Sequence, residues 1–254
     1  MTVPQQADPR RNESELKDSL RKGLLLGAAI LALLLPPAVF FLPSATQRPA
    51  ASPPALHLPV LRLAQFGAEQ ASPEVRHMAN WVATSRDNAK MSFVIVDKQD
   101  AKVYVFDPGA HLKATAPALL GSAVGDDTAP GVGDKPLAQV LPEEKTTPAG
   151  RFIAEVGAST RGEDVVWVDY VAAVSMHRVL KVPERLESLA SPTNKDNRMS
   201  FGCINLPQQF YENVLRPTVD HGGAVIYVLP ETRSLADTFA SYYDVEAPVS
   251  FAQH

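Results

Sequence analysis

Arg198-Met199-Ser200-Phe201-Gly202-Cys203-Ile204-Asn205-Leu206 holds the only cysteine in a chain of 254 residues. A polar segment enters the stretch, and Gly202 allows the backbone a close approach to a neighbour. Pro207 follows, a residue suited to the first turn of a helix. A thiol just ahead of a helix N-terminus lies among free backbone N–H groups, whose field favours the thiolate, the form that attacks carbonyls. The plainer reading of Cys203 is a small buried hydrophobe. A single cysteine makes no disulfide within the chain, so it is either buried or a working thiol.

Working outward, the flanks read mainly as strands. Upstream, 92–97 and 102–107 are apolar β-branched and aromatic runs joined by a short polar link, a hairpin pattern. A further strand is expected within 118–124. Residues 125–145, rich in Gly, Pro and Asp, read as a surface loop whose acidic pairs, Asp126-Asp127 and Glu143-Glu144, are solvated. Strands follow at 152–156, 165–170 and 172–179. A short amphipathic helix is expected over 183–190, then a polar loop to the cysteine. Downstream, a helix over 207–216 ends at Pro217, a closing strand spans 224–229, and Ser234 opens a last helix. Near the start, Ser72-Pro73-Glu74 caps a helix reaching about residue 85. The fold expected is mainly β with peripheral helices, a β-sandwich or partly open barrel.

The remaining chain divides by composition. Residues 1–22 form a polar, basic tail, expected in the cytoplasm. The uncharged segment within 23–43 is long enough to span about 30 Å as a helix, the thickness of a bilayer core. The basic residues precede it, which places the N-terminus inside and the rest outside. A cleaved signal peptide is the rival reading, although no clean small-x-small cleavage site follows. Residues 44–71 read as an extended Pro/Ala-rich spacer, and 72–254 as one catalytic domain. The expected location is the inner membrane, single-pass, with the domain in the periplasm, or export after cleavage. Net charge is −4, and no basic patch is interleaved with aromatics, so nucleic acid is not expected as a partner.

A thiol nucleophile needs a base and an oxyanion donor. Among six histidines, His177 and His221 lie nearest in sequence to Cys203. His177 ends an apolar strand whose alternation sets it opposite Val174 and Met176. A satisfied structural role for it remains open. His221, in Asp220-His221-Gly222-Gly223, reads as a turn residue.

The chain resembles the L,D-transpeptidase (YkuD-like) catalytic domains. His177 matches the first histidine of that family's pattern. Ser200, Gly202, Cys203, Ile204 and Asn205 match its Ser/Thr-His-Gly-Cys-hydrophobic-Asn/Arg block, and Thr147-Pro148-Ala149-Gly150-Arg151-Phe152 matches its Thr-Pro-x-Gly-x-Phe turn. The resemblance covers about 92–229. It implies that His177 takes the proton of Cys203 and that the thiolate attacks a peptidoglycan tetrapeptide stem. D-alanine then leaves, and the amine of a second stem resolves the thioester into a 3–3 cross-link. Under it, Gly202 and Cys203 N–H groups are the oxyanion candidates. Ser200 orients His177 or substrate, and Asn205 belongs to the positioning set. Arg198 holds a stem carboxylate or lies at the surface. Two departures stand out: Phe201 replaces the family's second histidine, and the 177–203 segment is long, with room for a lid. No cofactor or metal is implied. The partners implied are stem peptides and, through the N-terminal helix, the membrane; nothing indicates an oligomeric state. An L,D-carboxypeptidase and a catalytically weak wall-binding module remain as rivals.

Overall fold

The computed structural model describes residues 60–247. The expected tail, anchor and most of the spacer lie outside them. Among the described residues no helix is long and apolar enough to cross a membrane.

An eight-stranded sheet forms the body, in the order β3-β2-β1-β10-β5-β6-β7-β9. Its members are β1 (Ser92–Asp97), β2 (Lys102–Phe106), β3 (Leu112–Pro117), β5 (Gly150–Ala158), β6 (Asp164–Asp169), β7 (Val174–Arg178), β9 (Ile204–Leu206) and β10 (Ala224–Val228). Two short strands, β4 (Leu120–Gly121) and β8 (Arg198–Ser200), pair separately. The large sheet curls until its ends nearly meet. Asn205 in β9 exchanges backbone hydrogen bonds of 2.9 Å with Leu119, just beyond β3. One nearly closed barrel therefore replaces the sandwich alternative, because a right-twisted sheet of this width can satisfy its edges by curling.

Inside the barrel, Val94, Val96, Val103, Val105, Met176, Ile204 and Ile226 share one core. A second core lies outside β1, β2 and β10. There helix α1 (Pro73–Ser85) buries Val75, Met78, Trp81 and Val82 against Phe93, Tyr104, Phe106 and Tyr227. Ser72 caps α1 by accepting the N–H of Val75 at 3.3 Å, as Ser-Pro-Glu suggests. Both faces of β1 and β10 are thus covered, which explains their unbroken apolar runs. Phe66 joins this outer core and Gln65 bridges to His111. The folded body therefore begins before residue 72, inside the stretch read as spacer.

Three other expectations need correction. A strand at 112–117 was not expected, and the one expected within 118–124 is only β4. Helical backbone runs through Pro217: a π-helical turn, Tyr211–Leu215, joins Gln208–Phe210 to Arg216–Asp220, and the altered hydrogen-bond ladder of such a turn accommodates a residue with no N–H. Asp126 is not solvated. It is buried against Lys98, whose ammonium donates to its Oδ1 at 2.7 Å. The helix over 183–190, here α2 (Pro183–Ala190), has the expected bounds.

Candidate active site

Parallel pairing of β7 with β9 sets His177 beside Asn205 and Met176 beside Ile204. Met176 and Ile204 point into the barrel core. By alternation Ser175, His177, Cys203 and Asn205 share the opposite face. The register brings together a histidine and a cysteine that lie far apart in sequence.

His177 Nδ1 lies 2.8 Å from the Arg178 carbonyl. A carbonyl only accepts, so Nδ1 carries the proton and Nε2 keeps its lone pair. The hydrogen-bond contacts of the partly exposed Cys203 thiol are long: Sγ lies 3.6 Å from the Ala173 carbonyl and 3.8 Å from Ser175 Oγ. Burial works against charge on both groups, but their mutual interaction outweighs it. Burial would raise the thiol; the hydrogen bond and charge of His177, with help from Ser175, bring it below the ordinary thiol range. Burial would lower the imidazole; Cys203 raises it above the ordinary histidine value. Both directions favour a thiolate–imidazolium pair.

The cause differs from the one expected of the sequence. Cys203 does not sit at a helix N-terminus, since strand β9 intervenes before helical backbone starts at Gln208. The shift comes from the pairing of β7 and β9.

The turn holding the cysteine is fastened from below. Ser200 Oγ accepts the Gly202 N–H at 3.0 Å and donates to the Cys203 carbonyl at 2.6 Å. Ser200 therefore closes the turn and has no hydrogen bond to His177. The Gly202 N–H is engaged there too, which removes it from the oxyanion candidates and leaves that of Cys203. Gly202 has φ +125°, and a Cβ there would stand 2.7 Å from the Thr146 carbonyl oxygen. The glycine serves close approach of the chain to itself, not to a ligand. Thr147, fully buried, donates from Oγ1 to the Gly202 carbonyl at 2.8 Å and accepts the Gly121 N–H at 2.9 Å.

Below Thr147 lies a buried ionic cluster. Lys98 Nζ donates to the Thr147 carbonyl at 3.0 Å, the Gly125 carbonyl at 2.6 Å and Asp126. Asp126 also accepts the N–H groups of Glu231 and Thr232. Burial alone would raise its carboxyl; the Lys98 ammonium, then Thr232 and Glu231, hold it well below the usual carboxylate range. Arg198 belongs to this cluster. Its guanidinium pairs with Glu231 and donates to the Lys98 carbonyl at 3.0 Å, so it supports the fold and is not the expected carboxylate holder.

Phe201 projects outward, 41% exposed, with Lys145 Nζ 4.1 Å from its ring centroid. It forms part of the rim, not the core. His221 is the exposed turn residue expected, its Nδ1 2.5 Å from the Pro217 carbonyl.

Sequence reasoning missed Arg185, Ser175 and the anchoring part of Thr147. Arg185 on α2 donates to Asn205 Oδ1 at 2.6 Å and the Met199 carbonyl at 3.3 Å. Its position on an amphipathic helix between His177 and Cys203 was the one available signal.

No protein-family model matches the chain, and no curated protein does. Among solved structures it is similar to the LD transpeptidase LdtMt1 in complex with imipenem, at 19% identity over 54% of this chain and 58% of that one, TM-score 0.32. It is also similar to the Ldtfm-avibactam carbamoyl enzyme, at 15% over 55% and 49%, TM-score 0.33. A mutant L,D-transpeptidase of Enterococcus faecium matches at 15% over 55% and 50%, TM-score 0.31. The chain spans about half the length of the structures it matches. Likeness at this level fixes neither activity nor substrate.

Proposed function

We propose that the chain is a cysteine acyltransferase of the L,D-transpeptidase kind, acting on peptidoglycan stem peptides. The observation that carries this reading is geometric: the β7–β9 register sets Cys203, in the turn before β9, on the same face as His177, whose Nδ1 proton is fixed on the Arg178 carbonyl. The motif around Cys203 and the Thr-Pro-x-Gly-x-Phe turn supply the substrate class.

In this mechanism His177 Nε2 takes the thiol proton and Cys203 Sγ attacks the carbonyl of the third stem residue. The Cys203 N–H, the donor left by the Ser200 turn, takes the developing oxyanion. The bond to D-alanine breaks, and imidazolium returns the proton to the departing amine. The side-chain amine of a second stem attacks the thioester, gives its proton to His177 and restores the thiol in a 3–3 cross-linked product. An N-terminal anchor within 23–43 would hold the enzyme on the outer face of the inner membrane, and a reporter fused after His254 tests that topology.

Full-length protein incubated with tetrapeptide stems should gain one adduct on Cys203, and D-alanine and a cross-linked dimer should appear by mass spectrometry. D-alanine without dimer would make the enzyme a carboxypeptidase. A folded chain whose thiol stays unmodified by stem and carbapenem alike would overturn the reading.

A further inference from the structure

The segment between His177 and Cys203 does more than bridge them. Helix α2 is seated by Leu189, which packs with Leu119, Val179 and Met199. Arg185 lies four residues earlier, on the same helix face. Its guanidinium, a donor at every nitrogen, sits on Asn205 Oδ1. That contact decides which end of the amide points where. With Oδ1 committed, Nδ2 is directed to the Cys203 carbonyl at 3.3 Å and toward His177 Nε2 at 3.4 Å. A flipped amide would set NH2 against the guanidinium and oxygen against the Cys203 carbonyl, two repulsions in place of two attractions. Of the described arginines that are part-buried, Arg178, Arg198 and Arg216 each have a carboxylate within ion-pair distance and Arg185 has none. Its charge is left to act on the site.

We propose that Arg185 is a positioning residue for the reacting pair, acting through Asn205 to hold the His177 ring and the Cys203 carbonyl in register. The groups that act electrostatically on the imidazole are Cys203, from the turn before β9, and Arg185, from α2; its own strand supplies the Arg178 carbonyl. A cation beside a titrating pair lowers the pKa of each member, so its removal raises both.

The test rests on Cys203 and His177 being the reacting pair and needs no knowledge of the substrate. The chain has one cysteine, so iodoacetamide reads that thiol alone. In the full-length chain, Arg185→Gln should move the acid limb of alkylation against pH upward by about one unit, a roughly tenfold slower reaction on that limb. Asn205→Ala should move it in the same direction, and the double variant should show less than the sum. Arg185→Lys keeps the charge but lacks the fork that spans Asn205 and Met199, and should recover the limb in part. An unmoved limb in Arg185→Gln, with only a lower melting temperature, would reduce Arg185 to a structural tie and overturn the proposal. Additive effects, or a limb in Arg185→Lys identical to the parent, would also overturn it. If Arg185→Gln does not fold, the Lys variant decides alone by the same criterion. A wild-type thiol with an ordinary limb would instead sink the reading of Cys203 as an activated nucleophile, which separates the two failures.

Discussion

The two halves of the barrel are built differently. Strands β1 and β10 are covered on both faces, and every residue of β10 is buried. Next to β10, β5 alternates at first, with Arg151 and Ile153 exposed and Ala154 buried between them and Glu155, and beyond that it is open on both faces. On the outer face of the first half aromatic side chains stack: Phe93 lies parallel to Phe106 at 4.6 Å, and Trp81 meets Tyr227 edge-on at 6.2 Å. Nothing reactive finds room there. In the second half β7 and β9 keep their core on one face and give the other to Ser175, His177, Cys203 and Asn205. The candidate site lies where the sheet is covered once, and the aromatic packing where it is covered twice.

Substitutions on the two sides should separate accordingly. The largest effect belongs to Cys203→Ser. A hydroxyl is far less acidic than a thiol, so one imidazole does not ionise it; turnover should vanish with the melting temperature unchanged. His177→Ala should slow acylation by about 10²-fold or more, and His221→Ala should leave it unchanged. Residual full activity in His177→Ala would break the comparison at its centre.

On the covered side Trp81→Ala should cost about 3–5 kcal/mol of stability in denaturant titration while the remaining folded protein keeps its thiol reactivity. Lys98→Met crosses the divide. It leaves Asp126 without its buried cation, a loss of about 3–5 kcal/mol, and it also releases the Thr147 carbonyl beneath the cysteine turn. Both stability and acylation rate should fall. If the rate held while stability fell, the ionic cluster would belong to the scaffold alone.

The pH dependence sharpens the same contrast. The lowered thiol pKa and the raised imidazole pKa both favour the thiolate–imidazolium pair. Its contribution to stability is therefore lost as pH falls through the first or rises through the second. Alkylation of the native chain should persist at pH values where a free thiol, ordinary pKa about 8.5, hardly reacts, and denaturant should return the limb to that ordinary value. The smallest effect is that of Phe201→Ala. It removes an exposed cation–π contact with Lys145 worth about 0.5–1 kcal/mol, and should alter acceptor preference more than stability or acylation.

Legibility followed the same division. The doubly covered strands read off directly, because burial on both faces demands the continuous apolar runs seen in Phe93 to Val96 and Ala224 to Val228. Helix α1 was legible from Ser72-Pro73-Glu74. Strand β3, Leu-Lys-Ala-Thr-Ala-Pro, was not: it is half-buried and ends in proline, as edge strands do. The π turn that lets helix pass Pro217 leaves no local signature. At the candidate site, the sequence singled out His177 and Cys203 from residue type and spacing, and the β7–β9 register sets them on one face. Their supports were not, because Arg198 and Ser200 are neighbours of Cys203 in sequence yet turn to Glu231 and to the turn's own backbone. Arg185 and Ser175 reach the site only through strand register and a helix folding back, which are long-range facts.

Asn205 gives the architecture a last consequence. Its backbone zips the final strand to Leu119, and its side chain lies against the base. The pairing that closes the barrel and the pairing that sets Cys203 near His177 are therefore made by one strand, and a chain with β9 unpaired would carry a thiol without its imidazole neighbour.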